Sequence, residues 1–377
     1  MSKSDKKSQI TVSLSWVFMG IVGMFFIILA YNIVTTYQDN EEAKYEIELK
    51  QTLRNIFNNV GRTAGVEDNS FQPIGNIFYD SKVDIICVDQ LPILSINNNY
   101  DTNNQFLQNY PAFMTSIENS RTDQTYLVVE GLKLPFRITN MLAIISKRNL
   151  IVFDENSDIT ELMIEKIKKS SYSEINYIVK DFSTDLVNLE NEISRMNLNS
   201  VMLISDSGVT LNGFSLSDIT DEAYLLQVNM VNENHGEMIY FEKDGTSYEY
   251  NYIDPDQNLN LITMGMFSDP ETFECSYNKI IDTIPQIYDF YIHKSESLAN
   301  KSSVKQTCST TLTQTSTGTF VGDQQVFLYQ DMKTNLESLR DHITSEKFNK
   351  PNELYNILEQ VKSSSETLES FNCEYVY

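Results

Sequence analysis

Carboxylates gather where three apolar runs end. Leu150-Ile151-Val152-Phe153 is followed by Asp154, Glu155 and Asp158. Ile175-Asn176-Tyr177-Ile178-Val179 is followed by Asp181, and Val201-Met202-Leu203-Ile204 by Asp206 and Ser207. Carboxylate and hydroxyl oxygens are hard donors and suit Mg²⁺ or Ca²⁺. Asp154, Asp158 and Asp206 are therefore the candidate metal ligands, and a divalent cation is the one cofactor the sequence suggests. A second role competes with this one and is the commoner for these residue types. Asp and Ser cap helix N-termini and fill turns through hydrogen bonds to nearby backbone N–H groups.

Other chemistry is missing at the level of motifs. No Gly-x-Gly-x-x-Gly follows a strand-like run, and there is neither a Walker loop nor a Gly-x-Ser-x-Gly elbow. His235, His293 and His342 stand alone, without the spacing of metal-binding pairs. No catalytic residue is nominated, and a non-enzymatic reading ranks ahead of an enzyme.

The elements that must position the carboxylates follow from periodicity. The runs ending at Asp154, Asp181 and Asp206 read as buried strands. Between them, Ile159 to Ile167 and then Leu186, Leu189, Ile193 and Met196 have helical spacing. Strand, helix, strand, helix, strand with short links predicts parallel pairing, right-handed crossovers and a small Rossmann-like three-layer α/β region. Asp244-Gly245, between Met238–Phe241 and Tyr248–Ile253, predicts a β-hairpin. From Ser268-Asp269-Pro270-Glu271 onward the chain reads as helical, with Ser268 as the cap and Pro285 as a kink or break. Leu328, Met332, Leu336, Leu339 and Ile343 mark a further helix. Leu354, Ile357, Leu358 and Val361 mark the last, with Pro351 in its first turn.

The N-terminus sets the compartment. No charged residue lies between Lys7 and Asp39, and Leu14 to Ala30 is almost wholly apolar. About 20 apolar residues in a helix span a bilayer. Lys3, Lys6 and Lys7 precede the run, and Asp39, Glu41, Glu42, Glu46 and Glu48 follow it, which predicts a cytoplasmic N-terminus and an extracytoplasmic remainder. The run is longer than a secretory signal core and lacks an Ala-x-Ala site, so an uncleaved anchor is expected. Beyond it, Tyr45, Leu49, Leu53, Ile56 and Val60 recur at three-to-four spacing, an amphipathic stalk ending at Gly61 or Gly65.

These signals divide the chain as follows: basic N-terminus 1–13, transmembrane helix 14–36, amphipathic stalk 37–65, irregular β-rich segment 66–148, α/β region with hairpin 149–265, helical region 266–377. The fold class is α+β / α/β.

The chain has 377 residues, 41% of them hydrophobic, and a formal net charge of −24. Such a balance opposes nucleic acid, whose phosphates need cationic partners. The expected partners are membrane lipid through the N-terminal helix and other proteins or further copies of the chain. Outside the cytoplasm, Cys87, Cys275, Cys308 and Cys373 are disulfide candidates, with one bridge expected within the last three and Cys87 read as a buried thiol. Asn300-Lys301-Ser302 is the one glycosylation sequon, with Asn300 as acceptor.

Two resemblances extend this reading. Asp154-x-Asn156-x-Asp158 at a strand-to-helix turn resembles the metal-adhesion loop of von Willebrand factor A domains, although that loop carries Asp-x-Ser-x-Ser. Ile204-Ser205-Asp206-Ser207-Gly208 is similar to the same family's Thr-Asp-Gly strand end, at a shorter interval. The N-terminus, with Lys6-Lys7-Ser8-Gln9 before the apolar helix, resembles archaeal type IV pilin-like proteins; the likeness implies processing between Ser8 and Gln9. Ser8 stands where that group usually has Gly, and Ser13 where bacterial pilins have Glu. The whole chain is similar to single-pass surface proteins of small-genome archaea, a likeness that implies no activity. The expected function is a structural or interaction role at the cell surface. The alternatives are a pilin-like minor subunit and a metal-dependent binding domain or enzyme.

Overall fold

In the computed structural model of the protein, the described residues are 24, 28, 31, 44, 47–56, 69–75, 81–88, 91–97, 99–100, 111–118, 124–169, 172, 174–184, 186–193, 195–206, 222–232, 234–255, 258–300, 321–370, 373 and 376. The chain is α+β and divides into two compact units, Met1–Asn58 and Asn59–Tyr377. In the first, Met24, Ile28 and Tyr31 are helical and exposed, and a helix α1 runs over 47–56 with Leu49 and Leu53 buried. Most of the expected transmembrane run 14–36 lies outside the described residues. Among the described residues, no helix is long and apolar enough to cross a membrane.

Among its described residues, the second unit holds three sheets. Two four-stranded sheets come from the segment read as irregular and β-rich. One has the order β1-β7-β8-β5, from Asn69–Gly75, Thr125–Lys133, Arg137–Ser146 and Ala112–Met114. The other has the order β4-β3-β2-β6, from Asn99–Tyr100, Leu91–Ile96, Lys82–Val88 and Ile117–Glu118. β7 and β8 form a long antiparallel pair, and β5 joins β8 in parallel.

The third sheet has six strands in the order β10-β9-β11-β12-β13-β14. These are Asn176–Lys180, Asn149–Asp154, Ser200–Asp206, Ala223–Asn232, His235–Phe241 and Ser247–Ile253. The first four strands pair in parallel, as the strand–helix alternation predicts for β9, β10 and β11. β12, β13 and β14 are antiparallel, and Gly245 turns the predicted hairpin with φ 87°. Helix α2 (Asp158–Lys169) packs Ile159, Met163 and Ile167 into the large core on one face. Helix α3 (Leu186–Ile193) packs Leu189 and Ile193 into a smaller cluster on the other.

At the β12–β13 turn the register shifts, and Gly236 lies against the backbone. A Cβ there would sit 2.2 Å from Asn229 O and 2.8 Å from the Tyr252 ring. Backbone oxygen cannot yield as a side-chain tip can. Gly236→Ala should therefore destabilise the protein by about 1–3 kcal/mol, the range for overpacking a filled site. Chemical denaturation measures it.

Among the described residues, four helices complete the unit. α4 (Asn260–Met266) is buried at all seven positions. α5 (Pro270–Asn300) runs unbroken through Pro285. The ring removes one backbone donor there, but Ile280, Ile281, Ile284, Tyr288 and Ile292 hold the helix to the core on both sides of it. Its cap is Asp269 rather than Ser268: Thr272 N donates to Asp269 Oδ1 at 2.7 Å. α6 (Val321–Glu346) runs antiparallel to α5, with ion pairs Arg340–Asp289 and Lys333–Glu296 at 2.8 and 3.4 Å. α7 (Pro351–Ser370) begins at the predicted proline.

α5 also ties the sheets together. Thr272 Oγ1 donates to Ile85 O of β2 at 3.0 Å, and Ser276 Oγ accepts from Ala112 N of β5 at 3.0 Å. The Tyr288 hydroxyl donates to Leu134 O beyond β7. One turn along from Thr272, Cys275 is bonded to Cys87 of β2, with Cα atoms 5.8 Å apart.

Candidate functional site

The parallel strands create one place where a ligand site is geometrically favoured. In the sheet β9 lies between β10 and β11. α2 and α3 therefore cover opposite faces, and the winding reverses between β9 and β11, whose carboxyl ends are the favoured ligand position in sheets of this kind. Asp154 ends β9 and Asp206 ends β11.

The two carboxylates do different work. Asp206 leans over the start of α2. Its Oδ1 accepts from Ser157 Oγ at 2.6 Å and Ile159 N at 3.4 Å, and its Oδ2 accepts from Asp158 N at 2.9 Å. A strand-end carboxylate thus fills the place of a helix cap, and the positive end of the helix dipole favours its charge. Asp158 contributes its backbone N–H, while its own side chain is exposed. Asp206→Ala should loosen the first turn of α2 and lower stability by about 1–2 kcal/mol. Amide hydrogen exchange at Asp158 and Ile159 should rise with it; unchanged exchange there would refute the capping role.

Asp154 is buried and turns to the other face. Its Oδ1 accepts from Asn156 N at 3.3 Å and from Phe182 N at 3.2 Å, and its carbonyl accepts from Thr160 Oγ1 at 2.7 Å. Asp181 accepts from Ser183 N at 2.8 Å, and hydrogen bonds from Ser183 hold its carboxyl below the usual range. Asp154, Asp158 and Asp206 are thus neighbours along the chain ends but do not turn to one centre. Among the described residues, no group of three or more His, Cys, Asp or Glu side chains could hold a metal ion. An open groove beside the first turns of α2 is lined by Glu155, Asp158, Glu161 and Glu165, with Lys168 as the one cation among the described residues that line it.

A buried polar cluster escaped the sequence reading. Glu130 on β7 is 0% exposed and faces Lys166 of α2, with Nζ and Oε1 3.0 Å apart. The Tyr172 hydroxyl donates to the same Glu130 oxygen. Lys166 also donates to Asn258 O at 2.5 Å and Asn260 Oδ1 at 2.7 Å, and Asn260 Nδ2 donates to Gly131 O at 2.6 Å. Burial raises the Glu130 carboxyl above its ordinary range and lowers the Lys166 ammonium below its own. The signal was in the sequence. Glu130 directly continues the apolar run Tyr126-Leu127-Val128-Val129, and a charge inside a buried strand requires a partner.

The remaining candidates are accounted for as follows. Cys87, read as a thiol, is half of a bridge to Cys275, because β2 lies against α5. Cys275 is thereby removed from the expected pairing within the C-terminal third. Cys373 is disulfide-bonded, and Cys308 lies outside the described residues. Asn300 is exposed at the last position of α5. Ser8 and Gln9 lie outside the described residues.

Comparison with protein-family models, with curated proteins and with solved structures finds no match to this chain.

Proposed function

We propose that the protein is held in a membrane by residues 14–36, with its folded part outside the cytoplasm, and acts there as a non-enzymatic structural or interaction component. The observation that carries the placement is the Cys87–Cys275 bridge, since disulfides persist in oxidising compartments and are rare in the cytosol. The charge asymmetry about the apolar run supports the same orientation. The non-enzymatic role is supported by the use of the strand-end carboxylates, which accept hydrogen bonds from the chain's own loops and helix start.

The test is the intact mass of the membrane-extracted protein, with and without reductant. A full-length mass that gains about 2 Da per bridge on reduction supports the proposal (two hydrogens per disulfide). A mass lacking residues 1–8 would replace the static anchor with the pilin-like reading. Loss of the whole apolar run, or free thiols before reduction, would overturn the placement.

A further inference from the structure

A row of three buried polar side chains crosses the six-stranded sheet at its carboxyl edge. Strand residues alternate between faces. Leu150, Val152, Val201, Leu203, Ala223 and Leu225 all pack on the α3 face. The same alternation carries that face to Asp154 on β9, Ser205 on β11 and Gln227 on β12. Ser205 pairs with Gln227 in register, and the pairing of Ile204 with Phe153 sets Ser205 beside Asp154. Relative exposures are 4%, 0% and 7%. On these three strands the face is apolar up to this last layer and then polar; on β10, Lys180 pairs with Asp154 in register and its Nζ meets Glu192 Oε2 at 2.9 Å.

Ser205 gives the row its meaning. Its hydroxyl is sealed from solvent and has no hydrogen-bond partner among the described residues. Such orphaned groups are disfavoured and rare in native proteins. Asp154 is similarly one-sided: its described hydrogen bonds fall on Oδ1, and no described residue donates to Oδ2. A carboxylate, a hydroxyl and an amide oxygen are the donors that hard cations prefer. The row also lies where the winding reverses between β9 and β11, the favoured ligand position of such sheets.

We propose that Asp154, Ser205 and Gln227 form a binding site for a hard, oxygen-liganded cation on the α3 face of the sheet. Of the three ligands suggested by sequence, this site retains only Asp154. Asp158 and Asp206 belong to the α2 face, where they build the helix start. The formal net charge of −24 favours a cation over an anion here. The inference goes beyond the membrane placement and does not depend on it.

The experiment is thermal unfolding of the full chain, stripped with chelator and titrated with CaCl₂, MgCl₂ or KCl at constant ionic strength. One of these should raise the Tm progressively with concentration, as expected for a ligand of the native state; the three salts separate a divalent from a monovalent ion. Ser205→Ala should raise the Tm of the stripped protein, because it removes the orphaned hydroxyl, and should abolish the rise given by the salt. Asp158→Asn, an exposed position on the other face, should keep that rise. The proposal is overturned if no salt moves the Tm, if the rise survives Ser205→Ala, or if Asp158→Asn removes it.

Discussion

Lys166→Met should destabilise the protein by about 3–5 kcal/mol, the range for leaving one member of a buried ion pair without its partner. The methionine fills much of the space but offers no donor to the Glu130 carboxylate in place of the ammonium, while the Tyr172 hydroxyl stays on it. Asn258 O and Asn260 Oδ1 lose a donor as well. The pH dependence has a definite sign. Burial already raises the Glu130 carboxyl in the parent, and removal of Lys166 takes away the largest opposing influence. A carboxyl raised in the folded state favours folding when protonated, and that contribution is lost as pH rises through its folded value. The variant should therefore recover part of its loss as pH falls below neutral, while the loss that comes from the unmet Asn258 and Asn260 oxygens remains. Glu130→Gln combined with Lys166→Met should be milder than Lys166→Met alone, because no buried charge remains. Urea unfolding of the three proteins at two pH values decides it; a double variant no better than the single one would contradict the account.

Replacing Cys87 and Cys275 together with Ser should lower stability by about 2–5 kcal/mol. The two residues are 188 apart in sequence, so the bridge closes a very long loop in the unfolded chain. The chain-entropy estimate for a loop of that length is about 5 kcal/mol, an upper value because unfolded chains retain structure. The damage should be local at first. The sheet β4-β3-β2-β6 is attached to α5 through this bridge and through Thr272. Amides of β2 and β3 should thus exchange faster than those of β9 and β11. Uniform acceleration across all three sheets would show that the bridge acts on the whole unit instead.

Legibility differed sharply between segments, for physical reasons. The β9–α2–β10–α3–β11 run was readable because each piece is local and short links force neighbours together. The Asp244-Gly245 hairpin and the proline start of α7 were readable because single residues dictate backbone geometry. α4 was missed because all seven of its residues are buried, so it has no polar stripe to reveal a helical period. The strand β12 was missed for a similar reason, since Ala223 to Val228 packs on both faces. The sheets built from residues 69–146 rest on distant pairings such as β1 with β7, which no local pattern announces.

The candidate site shows the same limit. Sequence placed Asp154 and Asp206 at strand ends, but the face each takes depends on the register of β9 against β11. A shift of one residue would have turned them together. The part of Ser205 was hidden for that reason, and Glu130 because its partner comes from a helix 36 positions away in the chain.

The Asp206 carboxylate has one more consequence. The first turn of a helix after a parallel strand is where many α/β proteins seat a phosphate, on free backbone N–H groups at the positive end of the helix. In this chain Asp206 already occupies that seat, with its two oxygens on Asp158 N, Ile159 N and the Ser157 hydroxyl. The protein thus carries its own carboxyl group at the start of α2. A nucleotide or sugar phosphate approaching that turn would meet a negative charge instead of a cradle. The fold keeps the shape of a phosphate site and closes it from within.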